Sequence, residues 1–311
     1  MMRFQIEQEN YYERIARIQE KDVILITDRG VLDPTAYCST DIKQKILDMP
    51  DLKKADLMER YHLVLHLVTA ADGAEKFYTL ENNAARSESP ELAIVIDDLL
   101  KVAWNGAPNH TIIDNSGAGF EEKIKRAYNT ISRVVDLPEA PILTKKFLLQ
   151  KVFKISNLPP ESLASCEEFE EETIMMVTTV PNFRNWIKVR RYPNGNAYYS
   201  YYTRKLEEKE EERIELIRQI NTNNFDAYYS QRDRNKHPVV KDVVVFIHNR
   251  TNYIVETFTK GGRRCSILRV NKHSKEDLDD WKLPEFLKIL KDVSEDPNYF
   301  THNLASGQGL Y

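Results

Sequence analysis

The chain has 311 residues, 41% of them hydrophobic and 30% charged, with a formal net charge of −4. That length suits two domains with separate cores, the charge argues against general nucleic-acid binding, and no run reaches the roughly 18 apolar residues of a membrane-spanning helix. Cys38, Cys166 and Cys265 are odd in number and widely spaced, and the start MMRFQIEQEN has no secretory core, so the expected setting is a reduced cytoplasm, with peripheral membrane attachment left open.

Phe4, Tyr11, Ile15 and Ile18 recur near helical spacing and predict a first helix. The run DVILITDRGVLDPTAY from Asp22 then reads as a buried parallel strand over 23–28 that ends on Asp28 and a tight turn. One reading makes Asp28 a magnesium or phosphate-site acid with Arg29 adding charge against phosphate; the plainer one makes it the residue that ends a strand and caps a turn. No G-x-x-x-x-G-K-[ST] loop precedes it, and Asp33-Pro34 reads as a turn. A polar helical stretch over 40–58 leads to a strand over 61–68, where His62 and His66 share a face without a third ligand and read as packed histidines. Between Tyr78 and Glu88, Arg86 is either a mobile lid arginine or half of a surface ion pair. Ser89 and Pro90 open a helix over 90–104 whose apolar face would be Leu92, Ile96, Leu99 and Ala103. A strand at His110–Asp114 runs through Asn115 and Ser116, the position of a base-binding loop in such folds, into a helix with Phe120, Ile124, Tyr128, Ile131 and Val135 on one side. The alternation predicts a parallel sheet covered by helices over residues 1–136.

Residues 137–145 read as a linker, marked by prolines, and 146–311 as a second domain. Strands are expected at 148–155, 168–178, 185–192, 197–205, 213–220, 242–248, 252–259 and 265–271, with a hairpin at Pro193–Asn196, a helical or solvated stretch at 205–213 and a late helix at Pro284–Val293. The expected fold is a mostly antiparallel sheet closed into a barrel. Lys188 and Arg190 share one face of their strand, and Arg204, Arg218 and Arg269 fall in parity on others. Glu168, Glu170 and Glu172 share a face, with Glu256 on another strand. A lumen lined by both signs suits a polyanion or a metal–polyphosphate complex; the alternative is that these charges pair among themselves or face solvent.

DRGVLDPTAY, HLVTAADGAEKFYTLENNAARSE, DLLKVAWNG and HTIIDNS, followed by IKVRRYPNGNAYYSY and LPEFLKILKDVSEDPNYFTHNLA, resemble the family of TRPL translocation defect protein 14. That family joins an AAA-type, P-loop NTPase-like domain of the NadR/Ttd14 group to a CYTH-like triphosphate-tunnel domain. The resemblance implies a regulatory protein of membrane-protein trafficking that binds GTP with Mg2+ and phosphoinositide headgroups at a membrane surface, with a membrane channel or trafficking protein as partner. It implies nucleotide-site roles for Asp28, Arg29, Arg86, Asp114 and Asn115, and an anion-binding wall of Lys188, Arg190, Arg191 and Arg204, to which parity adds Arg218 and Arg269. Asp28, Glu170, Glu172 and Glu256 are the candidate metal ligands. The family's glycine-rich loop is absent, which implies an N-terminally truncated member with impaired nucleotide binding. Glu170-x-Glu172 is followed by Ile174 where hydrolytic relatives carry a lysine, so the enzymatic alternatives, a phosphotransferase or a tunnel-type triphosphate hydrolase, take second place.

Overall fold

The computed structural model of the chain describes residues 1–78, 88–116, 119–135, 143–205, 215–249, 251–259, 264–272 and 283–307. It divides into two compact units, Met1–Ile124 and Lys125–Tyr311. Of the expected linker, 136–142 lies outside the described residues and 143–145 already belongs to a strand.

The first unit carries helices α1 (Met2–Arg17), α2 (Thr40–Leu47), α3 (Lys54–Met58) and α4 (Pro90–Trp104) around strands β1 (Val64–Leu67) and β2 (His110–Ile113), which pair in parallel. Helix α4 begins where the sequence places it, because the Ser89 hydroxyl accepts the Leu92 N–H and Pro90 supplies a preset φ. Its buried side differs from expectation. Asp97, Leu100, Lys101, Ala103 and Trp104 face inward, whereas Leu92 and Leu99 are exposed. Helix α5 (Phe120–Val134) likewise turns Phe120, Ile124 and Tyr128 to solvent. The expected strand at 23–28 is also corrected: these residues are exposed and belong to no strand, and Ile26 is 74% exposed. Apolar side chains make a strand only where a neighbouring strand accepts the backbone hydrogen bonds. Among the described residues the parallel sheet stops at two strands.

The turn after that segment is firmly built. A Cβ on Gly30 would come within 2.2 Å of the Trp104 ring, so only glycine fits beneath it. The Trp104 indole donates to Asp33 Oδ1 at 2.6 Å, and Val31 and Leu32 are buried beside it. Tyr61 donates to Glu9 at 2.7 Å while accepting the Val31 N–H, and burial pushes its phenol upward.

The second unit is one nine-stranded sheet in the order β11-β3-β10-β9-β8-β4-β5-β6-β7. Its strands are β3 (Leu143–Leu149), β4 (Glu167–Met175), β5 (Phe183–Arg191), β6 (Ala197–Lys205), β7 (Glu215–Ile220), β8 (Val239–His248), β9 (Thr251–Phe258), β10 (Cys265–Lys272) and β11 (Ile289–Asp292). Every neighbouring pair is antiparallel. The sheet is open, since β11 and β7 form its two edges. The expected closed barrel is therefore corrected, and so is the late helix: Ile289–Asp292 pairs with β3 as a strand. The hairpin between β5 and β6 forms as expected, with Gly195 at φ 88° and the Tyr192 N–H donating to Asn196 O.

Both faces of the sheet are covered, each for its own reason. On the outer face, Val244, Phe246, Tyr253, Val255 and Leu268 pack with Leu287 and with Leu158, which precedes the short helix α6 (Pro160–Leu163). Farther along, Ile174, Ile187, Val189 and Ile220 pack with Phe225 and Tyr228 of α7 (Thr222–Ser230). The inner face divides into an apolar end and a charged band. At the apolar end Met175, Trp186, Tyr202, Val239, Phe258 and Ile267 meet Val293 and Ala305, the latter on α8 (Thr301–Ala305).

Candidate functional site

Alternation along β4 sends Phe169, Glu171, Thr173 and Met175 to the inner face. Glu171 is 4% exposed and lies 3.0 Å from Lys241 Nζ, 3.2 Å from Lys188 Nζ and 3.6 Å from Arg190 Nε. Glu256 on β9 is 6% exposed, 2.7 Å from the same Lys241 Nζ and 3.3 Å from Arg269 Nε. The Arg269 approach is an ion-pair contact without hydrogen-bond alignment. Burial alone would raise both carboxyls. Instead Lys188, Lys241 and Arg190 hold Glu171 well below the ordinary carboxylate range, and Lys241 and Arg269 bring Glu256 down to about 2.

Lys146 on β3 completes the band. Burial pushes its ammonium down to about 8, with Glu256 opposing and Arg269, Lys241 and Arg204 adding to the fall. The sheet curls enough that Tyr202 of β6, Ile267 of β10 and Leu148 of β3 pack in one apolar cluster beside this band. Among the described residues no carboxylate lies within ion-pair distance of Lys146 Nζ, which sits 5.8 Å from the Phe300 ring centre. Lys146, Lys188, Arg190, Lys241 and Arg269 thus gather about two carboxylates, Glu171 and Glu256, while Arg204 shares the inner face farther along. Aromatic rings hold several of these cations in place. Lys188 lies over Tyr202, Arg190 over Phe169 and Arg204 over Trp186.

Of the expected anion wall, Lys188, Arg190, Arg204 and Arg269 share this interior. Arg191 and Arg218 do not. Arg191 lies on the outer face, bridging Glu170 at 2.9 Å and Glu172 at 2.6 Å, and Arg218 is exposed opposite Tyr201 of β6. The odd positions of β4 point inward, so Glu168, Glu170 and Glu172 sit on the side opposite Glu171 and Glu256. Among the described residues no three His, Cys, Asp or Glu side chains are placed to hold a metal ion. The sequence reading missed Lys146, Glu171 and Lys241. Lys241 could have been found as the one cation in the strand VVKDVVVF.

In the first unit, Asp28 is exposed, and Arg29 has φ 75°, with its guanidinium 3.6 Å from Asp33 and its carbonyl accepting from Gln5. Asp114 accepts both the N–H and the hydroxyl of Ser116. Asn115 donates to the carbonyls of Thr69 and Asp72 and accepts from Lys123 at 2.6 Å, so its amide pins two loops together. Arg86 lies outside the described residues. His62 is exposed, while His66 is buried and bonds to Asp97, which Lys101 also approaches at 2.7 Å. Asp97 sits at about 2, because His66 and Lys101 outweigh its burial. No helix among the described residues is long and apolar enough to cross a membrane.

Residues 1–123 match the family model described as an AAA domain. No curated protein matches. Among solved structures, the chain is similar to the inorganic triphosphatase NE1496, at 14% identity and a TM-score of 0.37 over 53% of this chain and 95% of that one. It is also similar to a conserved hypothetical protein from Pyrococcus furiosus, at 17% identity and a TM-score of 0.32 over 47% of this chain and 90% of that one. Likeness at this level carries no argument about activity.

Proposed function

We propose that this chain is a phosphate-binding protein whose working site is the cationic inner band of the second unit, and that it takes a compact polyphosphate anion. The observation that carries this reading is Lys146. An ammonium held inside the sheet among other cations, with no carboxylate of its own among the described residues, is a costly arrangement that an anionic ligand would relieve. The aromatic backing of Lys188, Arg190 and Arg204 supports the same reading, because cations already fixed lose less entropy when a ligand arrives. The sequence-based alternative of a triphosphate hydrolase shares this ligand chemistry and stands nearer to it than GTP-dependent trafficking does. The AAA match supports nucleotide phosphates as ligands of the first unit.

Calorimetric titration of the full chain with tripolyphosphate tests the proposal. Lys146→Met is expected to weaken binding by roughly 10- to 100-fold, the weight of one hydrogen bond to a charged group. No heat with the wild-type protein, or equal affinity in the variant, overturns it. Vesicles carrying a phosphoinositide, run beside soluble tripolyphosphate, separate a lipid headgroup from free phosphate as the source of the anion. Phosphate release over hours in the same samples separates a hydrolase from a receptor.

A further inference from the structure

The acids and cations of the inner band do not fit a divalent metal, and the misfit points to a different way of binding anions. One ammonium, Lys241 Nζ, lies within 3.0 Å of a carboxylate oxygen of Glu171 and within 2.7 Å of one of Glu256. Both acids come from opposite neighbours of β8, so the lysine occupies the meeting point of the two carboxylates. Each acid is engaged further, Glu171 by Lys188 and Arg190 and Glu256 by Arg269. Magnesium wants six oxygen ligands in near-ideal octahedral order. Here Glu171 and Glu256 are each already shared among cations, and a dication placed between them would meet Lys188, Arg190, Lys241 and Arg269 at close range.

We propose that Lys241 takes the place of a metal ion in this site, so that polyphosphate is held directly by fixed side-chain cations and needs no divalent ion. This rests on the phosphate-binding reading above and adds to it the source of the positive charge. Glu171 and Glu256 then act as spacers. They hold Lys188, Arg190, Lys241 and Arg269 in a fixed array, leaving Lys146 and the outward faces of the other cations for the ligand. Lys241 donates one N–H to Glu256 and stands 3.0 Å from Glu171 as an ion pair.

Two measurements on the full chain test this. First, tripolyphosphate is titrated in EDTA and again with excess magnesium. Binding in EDTA at least as tight as in magnesium is expected, and a tenfold or greater loss in EDTA overturns the proposal. Second, manganese is added without any anion, and its bound fraction is read by electron paramagnetic resonance. No saturable binding to the wild-type inner band is expected, whereas Lys241→Ala, which frees two facing carboxylates, should gain a manganese site that Glu256→Gln removes again. Saturable manganese binding by the wild type that Glu256→Gln abolishes overturns the proposal. Should Lys241→Ala fail to fold, Lys241→Met serves, and the wild-type arms decide alone if both fail. If tripolyphosphate binds under neither condition, the phosphate-binding reading falls, while the manganese arm still decides the occupancy of this position.

Discussion

In the second unit the sheet's outer side closes over Phe246, Val255 and Leu268, all fully buried, while the charges gather inside. In the first unit α4 turns Leu92, Val95 and Leu99 to solvent and buries Asp97 and Lys101 instead. The difference is one of sheet width. Nine antiparallel strands offer two broad faces, and flanking helices and loops find apolar surface on both. Two parallel strands offer hardly any, so the stripes of the helices around them stay uncovered.

Substitutions should separate the two units by size of effect. Phe246→Ala removes a fully buried ring between Tyr253 and Phe153 and should cost about 3–5 kcal/mol in urea unfolding of the second unit. A loss under about 1 kcal/mol would show that this core is looser than its burial implies. Glu256→Gln breaks a buried ion pair and should cost about 3 kcal/mol at neutral pH. Its folded carboxyl titrates near 2 instead of near 4.5, so its contribution is complete above about 4.5 and is lost as pH falls toward 2. Acid unfolding of the wild type should therefore steepen through that window, and the variant's profile should be flatter there. An unchanged profile would mean that the acid is not held by Lys241. Gly30→Ala should lower the stability of the first unit by about 1–3 kcal/mol, because the new methyl meets the Trp104 ring. Tryptophan fluorescence at equilibrium would report that loss. Leu99→Ser should change stability by less than about 0.5 kcal/mol, as its side chain already meets water. A large effect there would show that α4 is covered in solution.

The sequence marks elements whose signals are local. Ser89 and Pro90 locate the start of α4, and Asn194-Gly195 the β5–β6 hairpin. It misleads where the deciding contact is remote. Val23–Ile26 has strand composition but no strand beside it, and Ile289–Asp292 has helical spacing but pairs with β3 across more than a hundred residues. The site was half legible for a similar reason. Since β4 is covered on both sides, apolar residues stand at even and odd positions alike: Phe169 and Met175 inward, Ile174 outward. Period two then cannot say whether Glu171 or its neighbours face the interior. Lys146 escaped notice because its strand was expected to begin at residue 148, and it begins at Leu143.

The short helix α8 packs against one end of that interior. Ala305 is fully buried against the apolar end of the inner face, and its carbonyl accepts the His237 N–H at 2.7 Å. Val293, Leu304 and Ala305 thus cover the apolar end of the inner face, and the same helix ties down the backbone that leads into β8.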